Sequence, residues 1–259
     1  MSSNASQRPK AAASLGPVTD DAFLGGHLQI LQPLKGFRSG LDAVMLAAAV
    51  PAKERQRICD LGAAVGTAGF CVAARVSNLH LTAVEIEPEL AALADANFLR
   101  NDLKGTFEVI VADVLTRPRN MPRQSFHHVL TNPPFYDSAK GTVAPEQSKA
   151  RAKSFSESQL ATWLKFARAL VKPKGTLTVI LPPAQLPLAL ATLSATGQGA
   201  EIIPLWPKEC EPAKRVIVRV QMNSKAALRL YPGLILHGDF GTPSIAADAI
   251  LRSGKALTT

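Results

Sequence analysis

Asn132 ends an apolar run and precedes two prolines, in Val129-Leu130-Thr131-Asn132-Pro133-Pro134-Phe135-Tyr136. Neither proline has a backbone N–H, so a strand that reaches this point stops. A residue before proline is pushed into extended backbone, which makes the corner stiff and open. The corner offers a carboxamide at Asn132, a carbonyl at Pro133 and aromatic faces at Phe135 and Tyr136. An amide oxygen accepts from an amino group, and an aromatic ring stacks on a planar one. Taken alone, the stretch would also suit an ordinary sheet corner; the upstream residues decide between the two.

Asp60-Leu61-Gly62 closes one short apolar run, and Gly66 follows after Ala63-Ala64-Val65. Glycines between a strand and a helix permit a tight turn and close approach of a ligand to backbone. The spacing is not the dinucleotide fingerprint, because Ala64 holds the middle position, and there is no Gly-Lys-Ser/Thr of a P-loop. A ligand without a pyrophosphate fits better. Glu85 lies 25 residues past Asp60 and ends the next strand, where a carboxylate can grip a ribose diol. Asp113 ends a third strand and can accept from an exocyclic amine. Three acids and Asn132 at four successive strand ends describe one crevice.

The elements that must carry these residues alternate. Strands are expected at 57–62, 80–86, 107–112, 126–131, 175–181, 200–205 and 215–222. Helices separate most of them, one starting at Pro88 and one capped by Ser154 or Ser156, with Glu157 or Gln159 completing a capping box. Such alternation requires parallel pairing and right-handed crossovers. The last two strands have no helix between them, which predicts a C-terminal antiparallel hairpin. The expectation is therefore an α/β, Rossmann-like, seven-stranded and mostly parallel sheet with helices on both faces. Residues 28–38 read as two short strands around Pro33-Leu34-Lys35, a flap before the helix Leu41–Ala49. Residues 1–20, rich in Ser, Ala and Pro, read as a disordered arm. Residues 21–259 then form one domain, divided into flap and helix at 21–50, core at 55–222 and C-terminal extension at 223–259.

The chain has 259 residues, 47% of them hydrophobic, so it can bury a full core. No apolar run approaches the ~18 residues that span a bilayer, and the N-terminus lacks a signal-peptide core. Cys59, Cys71 and Cys210 lack metal-type spacing and read as free thiols in a reducing cytoplasm; no metal is expected. The net charge of +9 is concentrated at Arg117, Arg119 and Arg123, at Lys140 to Lys153 and at Lys165 to Lys174. Lys149, Arg151 and Lys153 follow the Asn-Pro-Pro corner, so RNA is the expected partner. Oligomeric state is not legible, and a monomer is compatible with every feature.

From about Leu28 to Met222 the chain resembles the class I S-adenosylmethionine-dependent methyltransferases. Asp60-Leu61-Gly62 is similar to their first motif, Glu85 to their ribose-binding acid, Asp113 to their adenine-side acid, and Asn132-Pro133-Pro134-Phe135 to the motif of their amino-group members. Gly36-Phe37-Arg38-Ser39-Gly40-Leu41-Asp42-Ala43-Val44 resembles the start of the bacterial tRNA(Val) adenine-N6 methyltransferases, which modify the adenine 3′ to the anticodon. The resemblance implies S-adenosylmethionine as cofactor, held by Arg38, Asp42, Asp60, Gly62, Gly66, Glu85, Asp113 and Asn132. It implies Asn132, Pro133 and Phe135 as catalytic residues, and Phe135, Tyr136, Lys149, Arg151 and Lys153 as substrate contacts. Ala64 departs from the family, which usually has glycine there. Two rivals share the fold. A glutamine N5-methyltransferase acting on a protein such as a release factor would usually carry Tyr at Phe135 and an additional N-terminal helical domain. A catalytically weak RNA-binding module would not need to keep Asp60, Glu85, Asp113 and Asn132.

Overall fold

A computed structural model of the chain describes residues 16–36, 38–119, 121–134, 155–194, 196–238 and 241–258. At its centre is β3 (Arg57–Leu61), buried at all but its first residue. Around it the chain lays β4 (Leu79–Glu85), β5 (Gly105–Val111), β6 (Phe126–Thr131), β7 (Val171–Leu181), β8 (Ala200–Trp206) and β9 (Arg215–Gln221). The order across the sheet is β5-β4-β3-β6-β7-β9-β8, with β9 alone antiparallel to its neighbours among these seven. Central strands covered on both faces are nearly continuous in apolar residues, as Ile58-Cys59 and Val129-Leu130 are here. The expected α/β architecture and its terminal hairpin are both present.

Helices cover both faces. α1 (Leu41–Ala48), α2 (Thr67–Arg75) and α3 (Pro88–Arg100) share one apolar cluster. Within it Phe70, Phe98 and Phe107 meet with ring centroids 5.0–5.9 Å apart. α4 (Glu157–Leu170) and α5 (Leu186–Leu193) build the other cluster. The start of α4 follows from sequence: the Ser156 side chain accepts from Gln159 N–H while Gln159 reaches back to Ser156 N–H. α3 takes Pro88 at its first turn and ends on Arg100, favourable for the helix dipole.

The N-terminal region differs from the sequence expectation. The hairpin pairs β1 (Val18–Phe23) with β2 (Leu28–Pro33), and Pro33-Leu34-Lys35 only leads out of it. β1 thus begins inside the stretch read as a disordered arm. The chain reverses at Leu24-Gly25-Gly26-His27, where Gly25 and Gly26 take φ of +66° and +97°. A Cβ on Gly25 would lie 2.8 Å from the Arg252 carbonyl oxygen, so this turn seats directly on the C-terminal helix α6 (Ile245–Ser253). Two short pieces, β10 (Arg229–Leu230) and β11 (Leu234–Ile235), run parallel to β8 along its edge and are separated by Tyr231-Pro232-Gly233. No helix among the described residues is long and apolar enough to cross a membrane.

Candidate functional site

The carboxyl ends of β3, β4, β5 and β6 lie on one edge of the sheet, and they carry the residues singled out by spacing. At about 4.8 Å per strand, the row from Asn132 across β3 and β4 to Asp113 spans about 15 Å.

The turn after β3 is Gly62-Ala63-Ala64-Val65-Gly66. Gly62 and Gly66 have φ of +72° and +87°. Both also lack room for a side chain: a Cβ on Gly62 would come within 2.9 Å of the Trp163 ring, and one on Gly66 within 2.3 Å of Phe70. Ala64 takes φ of +49° despite its methyl group, a backbone region that costs an L-residue about 1–2 kcal/mol. Gly62 and Ala63 N–H both donate to the Val84 carbonyl, at 2.9 and 3.0 Å.

Glu85 holds this turn. One carboxylate oxygen accepts from Ala64 N–H at 2.7 Å, and the other from Ile86 and Glu87 N–H at 2.9 and 3.0 Å. A carboxylate with this set is a strong, oriented acceptor, and a ribose would share oxygens that also set the turn. Asp60 is only 2% exposed and lies beneath the turn, its Oδ2 accepting from Gly69 N–H at 2.9 Å in the first turn of α2. Burial pushes its carboxyl up to about 7, against the pull of the Gly69 N–H and with a further push from Glu85. Asp113 lies two residues past the end of β5, and its Oδ1 accepts from Leu115 N–H at 2.8 Å and caps a short 3₁₀ turn.

Asn132 leaves the end of β6 with its Oδ1 buried and without a hydrogen-bond partner among the described residues. Pro133 beside it is buried and Pro134 exposed. Buried acceptors are nearly always satisfied, so an orphaned amide oxygen at a strand's carboxyl end marks a place for a donor. Phe135, Tyr136, Lys149, Arg151 and Lys153 lie outside the described residues, as does Phe37.

Two expected cofactor residues are engaged with other parts of the chain. Arg38 pairs with Asp21 and donates to Thr19 Oγ1, both on β1. Asp42 accepts from Arg215 Nε at 2.8 Å, 173 positions away. The sequence did not flag Arg215, nor the link between Thr131 and Trp163. Thr131 Oγ1 donates to the Leu61 carbonyl at 2.8 Å and accepts from Trp163 Nε1 at 2.9 Å. That chain ties the ends of β3 and β6 and lays the indole over Gly62. Trp163 follows the helical period of α4 and gave no other signal.

Cys59 and Cys71 are buried, and burial raises both thiols, Cys71 to about 12. No cluster of His, Cys, Asp and Glu among the described residues is placed to hold a metal ion. The set suits a nucleoside without phosphates: glycine backbone at the β3 turn, a carboxylate at the β4 end and an orphaned amide at the β6 end.

A family model described as methyltransferase small domain matches residues 40–181. Curated relatives named tRNA1(Val) (adenine(37)-N6)-methyltransferase include those of Shewanella halifaxensis, 28% identical over 61% of this chain and 63% of that one, and Aliivibrio salmonicida, 30% identical over 58% and 62%. The match thus spans slightly less than two thirds of these relatives' length. Their counterpart in Shewanella frigidimarina is 27% identical over 74% of this chain and 78% of its own. Among solved structures, a predicted O-methyltransferase from Agrobacterium tumefaciens superposes with a TM-score of 0.69 at 27% identity, covering 83% of this chain and 98% of that one. A methyltransferase from Pyrococcus furiosus, 16% identical over 75% and 88%, shares the fold with a TM-score of 0.54.

Proposed function

The chain belongs to the methyltransferase small domain family, and from that premise we propose that it is an S-adenosylmethionine-dependent enzyme methylating the exocyclic N6 amine of an adenine in tRNA, in the cytoplasm. The observation that carries the reading is the orphaned Oδ1 of Asn132. S-adenosylmethionine supplies an activated methyl group for in-line displacement. Gly62, Gly66 and Glu85 would hold it, with Asp60 supporting the turn from below.

An adenine amine is a weak nucleophile because its lone pair is delocalised into the ring. Asn132 Oδ1 accepts one N–H and the Pro133 carbonyl the other. Two acceptors favour a pyramidal nitrogen and absorb positive charge as it develops. The buried strand β6 fixes the amide, and positioning supplies much of the acceleration. Phe135 stacks the base once it has left its own stack, a contact worth about 1–3 kcal/mol. The names of the curated relatives support tRNA as the substrate, and the +9 charge supports a polyanion.

The test incubates the protein with methyl-labelled S-adenosylmethionine and either bulk bacterial tRNA or purified release factors. Label recovered as N6-methyladenosine is the expected result. Label in a protein glutamine, or in neither substrate, refutes the assignment.

A further inference from the structure

β2 forms one edge of a two-stranded sheet, so the backbone groups on its free side need partners. Asn97 of α3 and Asn101, which caps the C-terminus of that helix, lie about one helical turn apart and supply them. Asn97 Oδ1 accepts from Leu31 N–H at 2.8 Å while Asn97 Nδ2 donates to the Leu31 carbonyl at 3.0 Å. Asn101 repeats the pattern on Gln29, at 2.8 Å for both bonds. The two amides stand in for a third strand.

Asn97 does one thing more. It is fully buried, and its Nδ2 also donates to the Val65 carbonyl at 3.2 Å. Val65 belongs to the turn whose Ala64 N–H is held by Glu85. The turn is therefore gripped from two sides, through its N–H groups by the end of β4 and through a carbonyl by α3. We propose that Asn97 is a positioning residue that makes the N-terminal hairpin part of the cofactor site: one amide reads the backbone of β2 and of the turn together. Docking of the hairpin and binding at the turn then favour one another, because each orders a group the other needs. The cofactor's identity rests on the function proposed above; the grip on the turn does not.

Asn101→Ala provides the control. It removes both bonds to Gln29 and leaves Val65 untouched, whereas Asn97→Ala removes two hairpin bonds and the Val65 bond. Three measurements separate the roles: thermal midpoint, S-adenosylmethionine affinity by calorimetry, and backbone hydrogen exchange in the cofactor-free protein. Both variants should melt earlier. Only Asn97→Ala should speed exchange at residues 64–66 and weaken cofactor binding, each by about tenfold or more. In the wild type, which needs no substitution, saturating cofactor should slow exchange at Gln29 and Leu31. Equal effects of the two variants on the turn, or a hairpin indifferent to cofactor, would overturn the proposal. If the wild type takes up no S-adenosylmethionine, the functional reading fails, and the exchange difference at 64–66 still decides whether Asn97 holds the turn.

Discussion

Asn132→Ala should separate stability from activity in a way that a structural asparagine could not. In the wild type the Asn132 amide oxygen is buried with no partner among the described residues, and an unsatisfied buried acceptor costs about 1–3 kcal/mol. Truncation removes that cost and gives up the packing of a half-buried side chain, about 1 kcal/mol. The balance runs from about zero to 2 kcal/mol in favour of the variant. For a chain of this size each kcal/mol moves the midpoint by about 2–4 °C, so the cofactor-free protein should melt at the wild-type temperature or up to ~8 °C above it. Asn101→Ala, which deletes a fully bonded amide, should melt lower. Methyl transfer should behave in the opposite way. Loss of one preorganised acceptor costs about 2.7–4 kcal/mol in the transition state, or ~10²–10³ in rate. Thermal melts without cofactor and single-turnover assays with saturating cofactor and tRNA measure the two quantities. A midpoint lowered by more than about 3 °C, or transfer at close to the wild-type rate, would show that Asn132 is a corner of the sheet and not an acceptor held in reserve.

Glu85→Gln keeps the shape but turns one acceptor into a donor, so at least one of the three N–H groups at Ala64, Ile86 and Glu87 loses its partner; calorimetry and melting should show a loss of about 1–3 kcal/mol, and unchanged values for both would mean that the carboxylate does not shape the turn. Two buried groups set opposing pH dependences. Asp60 titrates at 3.8 when unfolded and about 7 when folded, so its contribution is fully present below pH 3.8 and is lost as pH rises to about 7. His128, lowered from 6.5 to about 4 by burial with help from His127 and Arg219, contributes stability above pH 6.5 that is lost as pH falls towards 4. Denaturant melts between pH 4 and 6.5 should therefore rise more steeply with pH in Asp60→Asn than in wild type, and less steeply in His128→Gln; parallel curves for all three proteins would contradict the assignments. Binding to tRNA should weaken steeply with salt, and neutralising Lys149, Arg151 and Lys153 together should reduce that slope by about three phosphate contacts without altering cofactor affinity; a flat salt dependence would favour a protein substrate.

Local pattern was enough for much of this protein. Alternating strands and helices specified the parallel sheet, because burial on both faces leaves few other ways to cover such strands. The start of α4 was legible to within two residues, as Ser154 with Glu157 or Ser156 with Gln159, since a capping box involves only four consecutive residues; the second pair forms it. Gly62, Glu85 and Asn132 were legible because each sits at the end of a strand, and Gly66 because it opens the helix that follows β3; strands in one parallel sheet end on one edge. The strand ends did not reveal which way each side chain leans. Asp60 and Glu85 occupy equivalent positions by that criterion, yet one lies beneath α2 and the other holds the turn, a choice made by the helix packed above them. The pairing of β1 with β2 was equally hidden, because Val18–Phe23 is short, has two adjacent aspartates in place of an apolar alternation, and becomes a strand only beside its partner. Asp42 with Arg215, Thr131 with Trp163 and Asn97 with Val65 bridge positions far apart in sequence. Periodicity describes a residue's own element, whereas these contacts exist only once separate elements have packed, so tertiary structure alone decided how the site is held.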